Sequence, residues 1–130
     1  MKNVGGMTLI ELLIVIGIVG LTASLVAPVG IKQVARARAD AEWLTVQRTI
    51  NGISFRAFAQ GRSFEIEAAG TRLVWKASGG SSGELLLGYT FFEPTQRIRV
   101  TRNGHSEPEE LIASVADRKR RLRLNEWLEQ

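Results

Sequence analysis

From Leu12 to Ile31 the chain carries no charged residue. Twenty helical residues at about 1.5 Å each cover about 30 Å, the thickness of a bilayer's hydrocarbon core, so the run reads as a membrane span. Eleven of the residues between Leu12 and Val29 are Leu, Ile or Val, and together they favour insertion by about 3 to 7 kcal/mol. Gly17, Gly20, Thr22 and Ser24 weaken that preference without reversing it. A cleaved secretory signal has an apolar core of about 7 to 15 residues that ends in small residues. Here the core is too long, and Ala27-Pro28-Val29 is a poor cleavage match.

The residues ahead of the span are less ordinary. A short stretch with one base, Met1-Lys2-Asn3-Val4-Gly5-Gly6, leads into Met7-Thr8-Leu9-Ile10-Glu11, where an acid opens an otherwise apolar helix. A carboxylate at mid-bilayer costs about 2.5 to 3.5 kcal/mol, less near the edge, and such groups are usually paired.

This pattern resembles the prepilin signature of type IV pilins and type II secretion pseudopilins: a basic leader ending in Gly, an apolar residue, Thr-Leu-Ile-Glu, then a long apolar helix. The likeness covers Gly6 to Pro28. It implies that a membrane-embedded prepilin peptidase cuts between Gly6 and Met7 and methylates the new amine of Met7. Met7 stands where the family usually has Phe, another large apolar residue. The resemblance also implies that Glu11 serves assembly by pairing with the Met7 amine of a neighbouring subunit. Met7 and Glu11 are four residues apart and share a helix face, so a pair within one chain is open as well. At about 4 Å and an effective dielectric of about 20, opposite unit charges attract by about 4 kcal/mol, enough to set the axial register between subunits.

Pro28 near the end of the span predicts a helix kink, because proline lacks the amide and its ring clashes with the preceding turn. Gly17, Gly20, Ala23 and Ser24 are either close-packing points between helices or incidental. The expected organisation is therefore a leader at 1–6, the transmembrane half of a helix at 7–31, and a periplasmic domain at 32–130, anchored once in a bacterial inner membrane. The charges flanking the span argue the other way: Lys2 precedes it, while Lys32, Arg36 and Arg38 follow, which by the positive-inside rule alone puts the amino terminus outside. The family orientation is adopted because a cytoplasmic leader is what the peptidase motif requires.

Beyond the span, Lys32 to Gln60 reads as a continuing amphipathic helix. Trp43, Val46, Ile50, Ile53 and Ala57 step by three and four residues along one face, leaving Arg36, Gln47, Arg48 and Arg56 to others. Gly61 is the expected stop. From Phe64 the period becomes two: Phe64, Ile66 and Ala68, then Leu73, Trp75 and Ala77, then Ile98 and Val100 alternate with polar residues. Leu85 to Phe92 reads as a central strand. Ser78 to Gly83 reads as a flexible connection, and Glu93 to Gln96 and Arg102 to His105 as turns. Ser106 to Glu109 has the form of a helix capping box, yet Leu111, Ala113 and Val115 alternate. A strand is favoured there, hairpinned near Asp117 to a second through Leu122 and Leu124. One helix followed only by strands makes an α+β domain, a long N-terminal helix packed on an antiparallel sheet. That is the pilin-like arrangement, and the second half resembles minor pseudopilins of the GspH and FimT type.

No catalytic constellation is present, so an enzyme is not expected. His105 is the single His, Cys is absent, and Asp40 and Asp117 are far apart. No zinc or calcium site is therefore expected, and no cofactor. Major pseudopilins commonly carry a calcium loop near the end, so the resemblance points to a minor subunit. The run Arg118-Lys119-Arg120-Arg121-Leu122-Arg123 is dense in charge. It either blunts a sheet edge or, through Arg118, Lys119, Arg120, Arg121 and Arg123, contacts nucleic-acid phosphates. No aromatic residues interleave with it, Trp127 being the only nearby ring. Two functions follow: a pseudopilus subunit in protein secretion, with prepilin peptidase and other pseudopilins as partners, or a minor pilin of a type IV pilus or competence system that binds DNA.

Overall fold

The computed structural model describes residues 6–126, so most of the leader and Trp127 lie outside it. The chain divides into two compact units, Met1–Ala35 and Arg36–Gln130. One helix, α1 (Leu9–Gln60), contributes to both and contains Pro28. In the first unit its most apolar stretch is wholly unburied.

In the second unit the helix is organised as the periodicity predicts. Trp43, Val46, Ile50, Ile53 and Ala57 are buried, joined by Ala39 and Ser54. Each large apolar side chain so buried contributes about 1.5 to 3 kcal/mol. The helix ends as expected at Gly61, which takes a left-handed conformation with φ of 62°. The Arg62 amide then reaches back to the Ala57 carbonyl at 3.1 Å, closing the last turn as glycine at this position allows.

Seven strands follow: β1 (Phe64–Gly70), β2 (Arg72–Ala77), β3 (Ser82–Leu86), β4 (Thr90–Val100), β5 (Ser106–Glu107), β6 (Glu110–Val115) and β7 (Arg118–Arg123). They form one antiparallel sheet in the order β3-β2-β1-β4-β6-β7, with β5 pairing β4. Phe64, Ile66, Ala68, Leu73, Ile98, Val100, Leu111, Ala113 and Val115 alternate inward and make one core with the helix stripe. The β6-β7 hairpin turns through Ala116 and Asp117, both at positive φ, the twist that suits a two-residue hairpin.

Three expectations are corrected. Leu85 to Phe92 is not a central strand. β3 ends at Leu86 on the sheet's edge, Leu87 to Tyr89 form a loop, and β4 begins at Thr90. An apolar run marks burial but not continuity, and this one is cut where the Gly88, Tyr89 and Thr90 amides turn away from the ladder to a side chain of the helix. Glu93 to Gln96 is not a turn but lies inside β4. There Ala68 opposes Gln96 while Gly70 opposes Phe92, so β4 carries two extra residues, including Pro94, in a bulge that does not need the missing amide. An even insertion leaves Phe92 and Ile98 on the same buried face. Finally, the connection after β2 is shorter than expected, because Ser82 and Gly83 already belong to β3. The sequence also hid β5, two residues long.

Two side-chain amides complete the sheet where backbone pairing gives out. β4 and β6 pair directly only at Thr90–Val115 and Phe91–Ser114. Further along, Gln96 Nε2 donates to the Ile112 carbonyl at 2.6 Å and the Ile112 amide donates to Gln96 Oε1 at 2.9 Å. Asn125 treats Ser106 in the same way, at 2.8 and 3.0 Å. Each carboxamide replaces one peptide of a missing strand partner.

Candidate functional site

At the N-terminal end the motif residues form a helix cap. The Glu11 amide donates to Thr8 Oγ1 at 3.3 Å, and the Thr8 amide donates to Glu11 Oε2 at 3.4 Å. The Leu12 amide closes the first turn on the Thr8 carbonyl. Thr8 is thus the residue before the helix and Glu11 the third within it, a reciprocal capping box. The same two residues that carry the prepilin resemblance start the helix. The sequence showed this through Thr-x-x-Glu ahead of an apolar run, a signal that the membrane argument overlooked. Within a single chain the Glu11 carboxylate addresses the Thr8 amide and stays exposed, as does Met7. Large apolar residues from Leu9 to Val34 are 44 to 73 % exposed, a surface that water does not tolerate over such a length and that lipid or other helices would cover. Inside the span the Thr22 and Ser24 hydroxyls satisfy themselves on the Val19 and Leu21 carbonyls, which makes them cheap to place in hydrocarbon. Pro28 lies within the helix, where it removes one backbone hydrogen bond.

The basic run occupies β7, an edge strand, and strand alternation divides it. Arg120 turns to the helix and pairs with Asp40. Leu122, on the same side, is buried. Lys119, Arg121 and Arg123 point to the opposite, exposed face. The register sets Phe91, Ser114 and Lys119 in one row, Ile112 and Arg121 in the next, and Glu110 and Arg123 in a third. A ring therefore shares the row of Lys119, across Ser114, brought there by pairing from nearly thirty positions away, which reading along the sequence could not reveal.

A further site escaped the sequence entirely. Glu42, beside Trp43 on the buried stripe, accepts the amides of Gly88 at 2.7 Å on Oε2 and of Tyr89 and Thr90, both at 2.8 Å, on Oε1. Burial alone would push its carboxyl up, but these three amides outweigh it and hold the group below the ordinary carboxylate value. The Thr90 hydroxyl, fully buried, forms no hydrogen bond of normal geometry, so the amides carry the effect.

The outer face of β2, β1, β4 and β5 bears a row of alternating charge, Lys76, Glu65, Arg99 and Glu107, opposite one another in register. Its ion pairs are exposed, with Arg99 to Glu65 at 3.7 Å and Arg97 to Glu67 at 3.4 Å, and contribute little stability individually. Among the described residues no group of His, Cys, Asp or Glu is placed to hold a metal ion.

With this geometry in place, the chain compares with known proteins as follows. Residues 1–27 match the family model for the prokaryotic N-terminal methylation motif. No curated protein and no solved structure matches the chain. A long apolar N-terminal helix, packed in its second part on an antiparallel sheet, is a pilin-like α+β fold. The family of the matched motif is structural and non-enzymatic. The match is to the N-terminal motif alone, and what it supports is a type IV pilin-like N-terminus: the motif implies processing by prepilin peptidase and assembly with pilins, and with the apolar helix it suggests anchoring in an inner membrane beforehand.

Proposed function

We propose that the chain is a minor pseudopilin of the GspH and FimT type, assembled into a type II secretion pseudopilus that moves protein cargo mechanically. Cleavage between Gly6 and Met7 removes the leader, and Met7 becomes the methylated N-terminus. Glu11 then exchanges its weak local cap for the Met7 amine of a neighbour, while Pro28 kinks the helix and the domain from residue 32 onward sits in the periplasm. The observation that carries the reading is the capped helix start at Thr8 and Glu11, followed without interruption by an apolar surface that the chain itself leaves uncovered. Capping bonds of 3.3 to 3.4 Å are long and readily traded for a charged partner. Mass spectrometry of membrane-extracted protein tests it: the expected N-terminal peptide begins at methylated Met7. Residues 1–6 still attached, in cells with an active prepilin peptidase, would reduce the chain to an ordinary anchored domain.

A second reading, a minor pilin of a type IV pilus or competence system, is favoured by the common exposed face of Lys119, Arg121 and Arg123. Detergent-solubilised chain at micromolar concentration and low salt should then retard DNA in a gel, and no retardation removes this reading.

A further inference from the structure

The face shared by β4, β6 and β7 combines two properties that the fold does not need. Its middle is apolar: Phe91 is 44 % and Ile112 is 38 % exposed, and neither belongs to the core. Its margin is cationic: Arg121 pairs directly with Ile112, Lys119 stands across Ser114 from Phe91, and Arg123 faces Glu110. Had the charge only to protect the edge of β7, the neighbouring outward positions on β4 and β6 could be polar throughout. Apolar side chains rimmed by Lys and Arg are the chemistry of a surface that settles on anionic lipid, the apolar groups entering the interface and the cations meeting phosphates.

We propose that this face docks the second unit on an anionic bilayer surface while the chain is still membrane-anchored. The inference rests on reading Leu12 to Ile31 as the anchor. Because the face and the span belong to one chain, docking is an intramolecular event at high effective concentration, so a patch this small suffices. Arg120, which pairs with Asp40, takes no part. A nucleic-acid strand fits the face less well. Successive bases need successive rings, whereas Phe91 has an aliphatic neighbour and its own ring rests against Gly70.

The chain has no Cys, so Ser114→Cys, lying in register between Phe91 and Lys119, places one environment-sensitive fluorophore on the face. The labelled full chain is reconstituted in vesicles of phosphatidylcholine alone, or mixed with phosphatidylglycerol, and floated on a density gradient. The emission is expected to shift to the blue only with phosphatidylglycerol and to return in high salt. Lys119→Gln with Arg121→Gln should weaken docking about 25-fold, roughly fivefold for each cation lost. Flotation with both lipids but identical emission in both overturns docking and leaves the anchor intact, as does a double variant that behaves like its parent. A blue shift caused by a single-stranded oligonucleotide in detergent, with none on anionic vesicles, assigns the face to nucleic acid and overturns the proposal. Failure to float with either lipid overturns the anchor and docking together.

Discussion

Replacing Glu42 by Gln keeps the side chain's shape and removes only its charge and one acceptor. In the native chain Oε1 takes two amides and Oε2 takes one. The variant can keep the pair on its remaining oxygen, but its NH2 then faces the Gly88 amide, donor against donor. Gly88 and Tyr89 are exposed, so water can replace what they lose, whereas Thr90 is 1 % exposed and its amide depends on this carboxylate. Allowing about 1 kcal/mol for each weakened bond at the rim and about 1 to 3 kcal/mol wherever a buried donor is compromised gives a cost of about 3 kcal/mol. For a domain of this size that is a fall of roughly 12 to 24 °C in Tm.

The pH dependence carries a sign that a mere packing defect would not reproduce. The folded carboxyl titrates below its ordinary value of 4.5, so the stabilisation is complete above that value and is lost as pH falls through the lower, folded one. The gap between native and Glu42→Gln chains should be full at about pH 7 and narrow steadily below about pH 4.5. Thermal unfolding of the detergent-solubilised chain, followed by the fluorescence of Trp43, which is buried next to Glu42, measures both. Equal Tm values at neutral pH, or a gap that stays constant on acidification, would refute the reasoning.

Three other outcomes are expected. Asn125→Ala strips both bonds from Ser106, which is completely buried, and should cost about 1 to 3 kcal/mol by the same unfolding assay, whereas Thr95→Ala, at an exposed bulge position, should cost little. Gly83→Val should displace Trp75, whose indole lies where a Cβ at Gly83 would stand, and a change in tryptophan emission with a loss of about 1 to 3 kcal/mol would register it. A phosphatase fused after Gln130 should be active, since the proposed processing requires a cytoplasmic leader; an inactive fusion, with a fluorescent cytoplasmic counterpart, would show that the Lys32, Arg36 and Arg38 charges decide the topology instead.

Features that depend on neighbours in sequence could be read directly. The stripe from Trp43 to Ala57 and the alternation in β1, β2, β6 and β7 were legible because one side of each element must be apolar at a fixed period, and Gly61 announced the end of the helix. Reading failed where a distant group set the local geometry. Leu85 to Phe92 is apolar enough for an unbroken strand. It breaks because Glu42, more than forty residues earlier, captures three consecutive amides. In the same way Pro94 looked like a turn, since its compatibility with a strand depends on the unpaired bulge that β1 leaves opposite it. The candidate site was half legible: the motif and the basic run stood in the sequence, but not Phe91 in the same row as Lys119.

These long-range ties also bear on how the domain withstands its use. Drawn into a filament by its helix, as proposed, the chain would transmit load from α1 to the sheet. Burial along Trp43 to Ala57 resists separation of the two layers but is non-directional and does not by itself oppose sliding. Two polar contacts do. The Glu42 clamp fixes the helix to the loop entering β4, and the Arg120–Asp40 pair fixes it to the edge strand β7. Asp40 and Glu42 are two residues apart on α1 and hold nearby strands at one corner of the sheet, where Thr90, Val115 and Arg118 stand in register, so the axial position of the helix is fixed there. The Arg120 pair is exposed and worth at most about 1 kcal/mol, while the clamp is worth several times that. Under a pull along the helix, loss of Glu42 should therefore lower the unfolding force far more than loss of Asp40, and equal effects in single-molecule pulling would contradict this division of load.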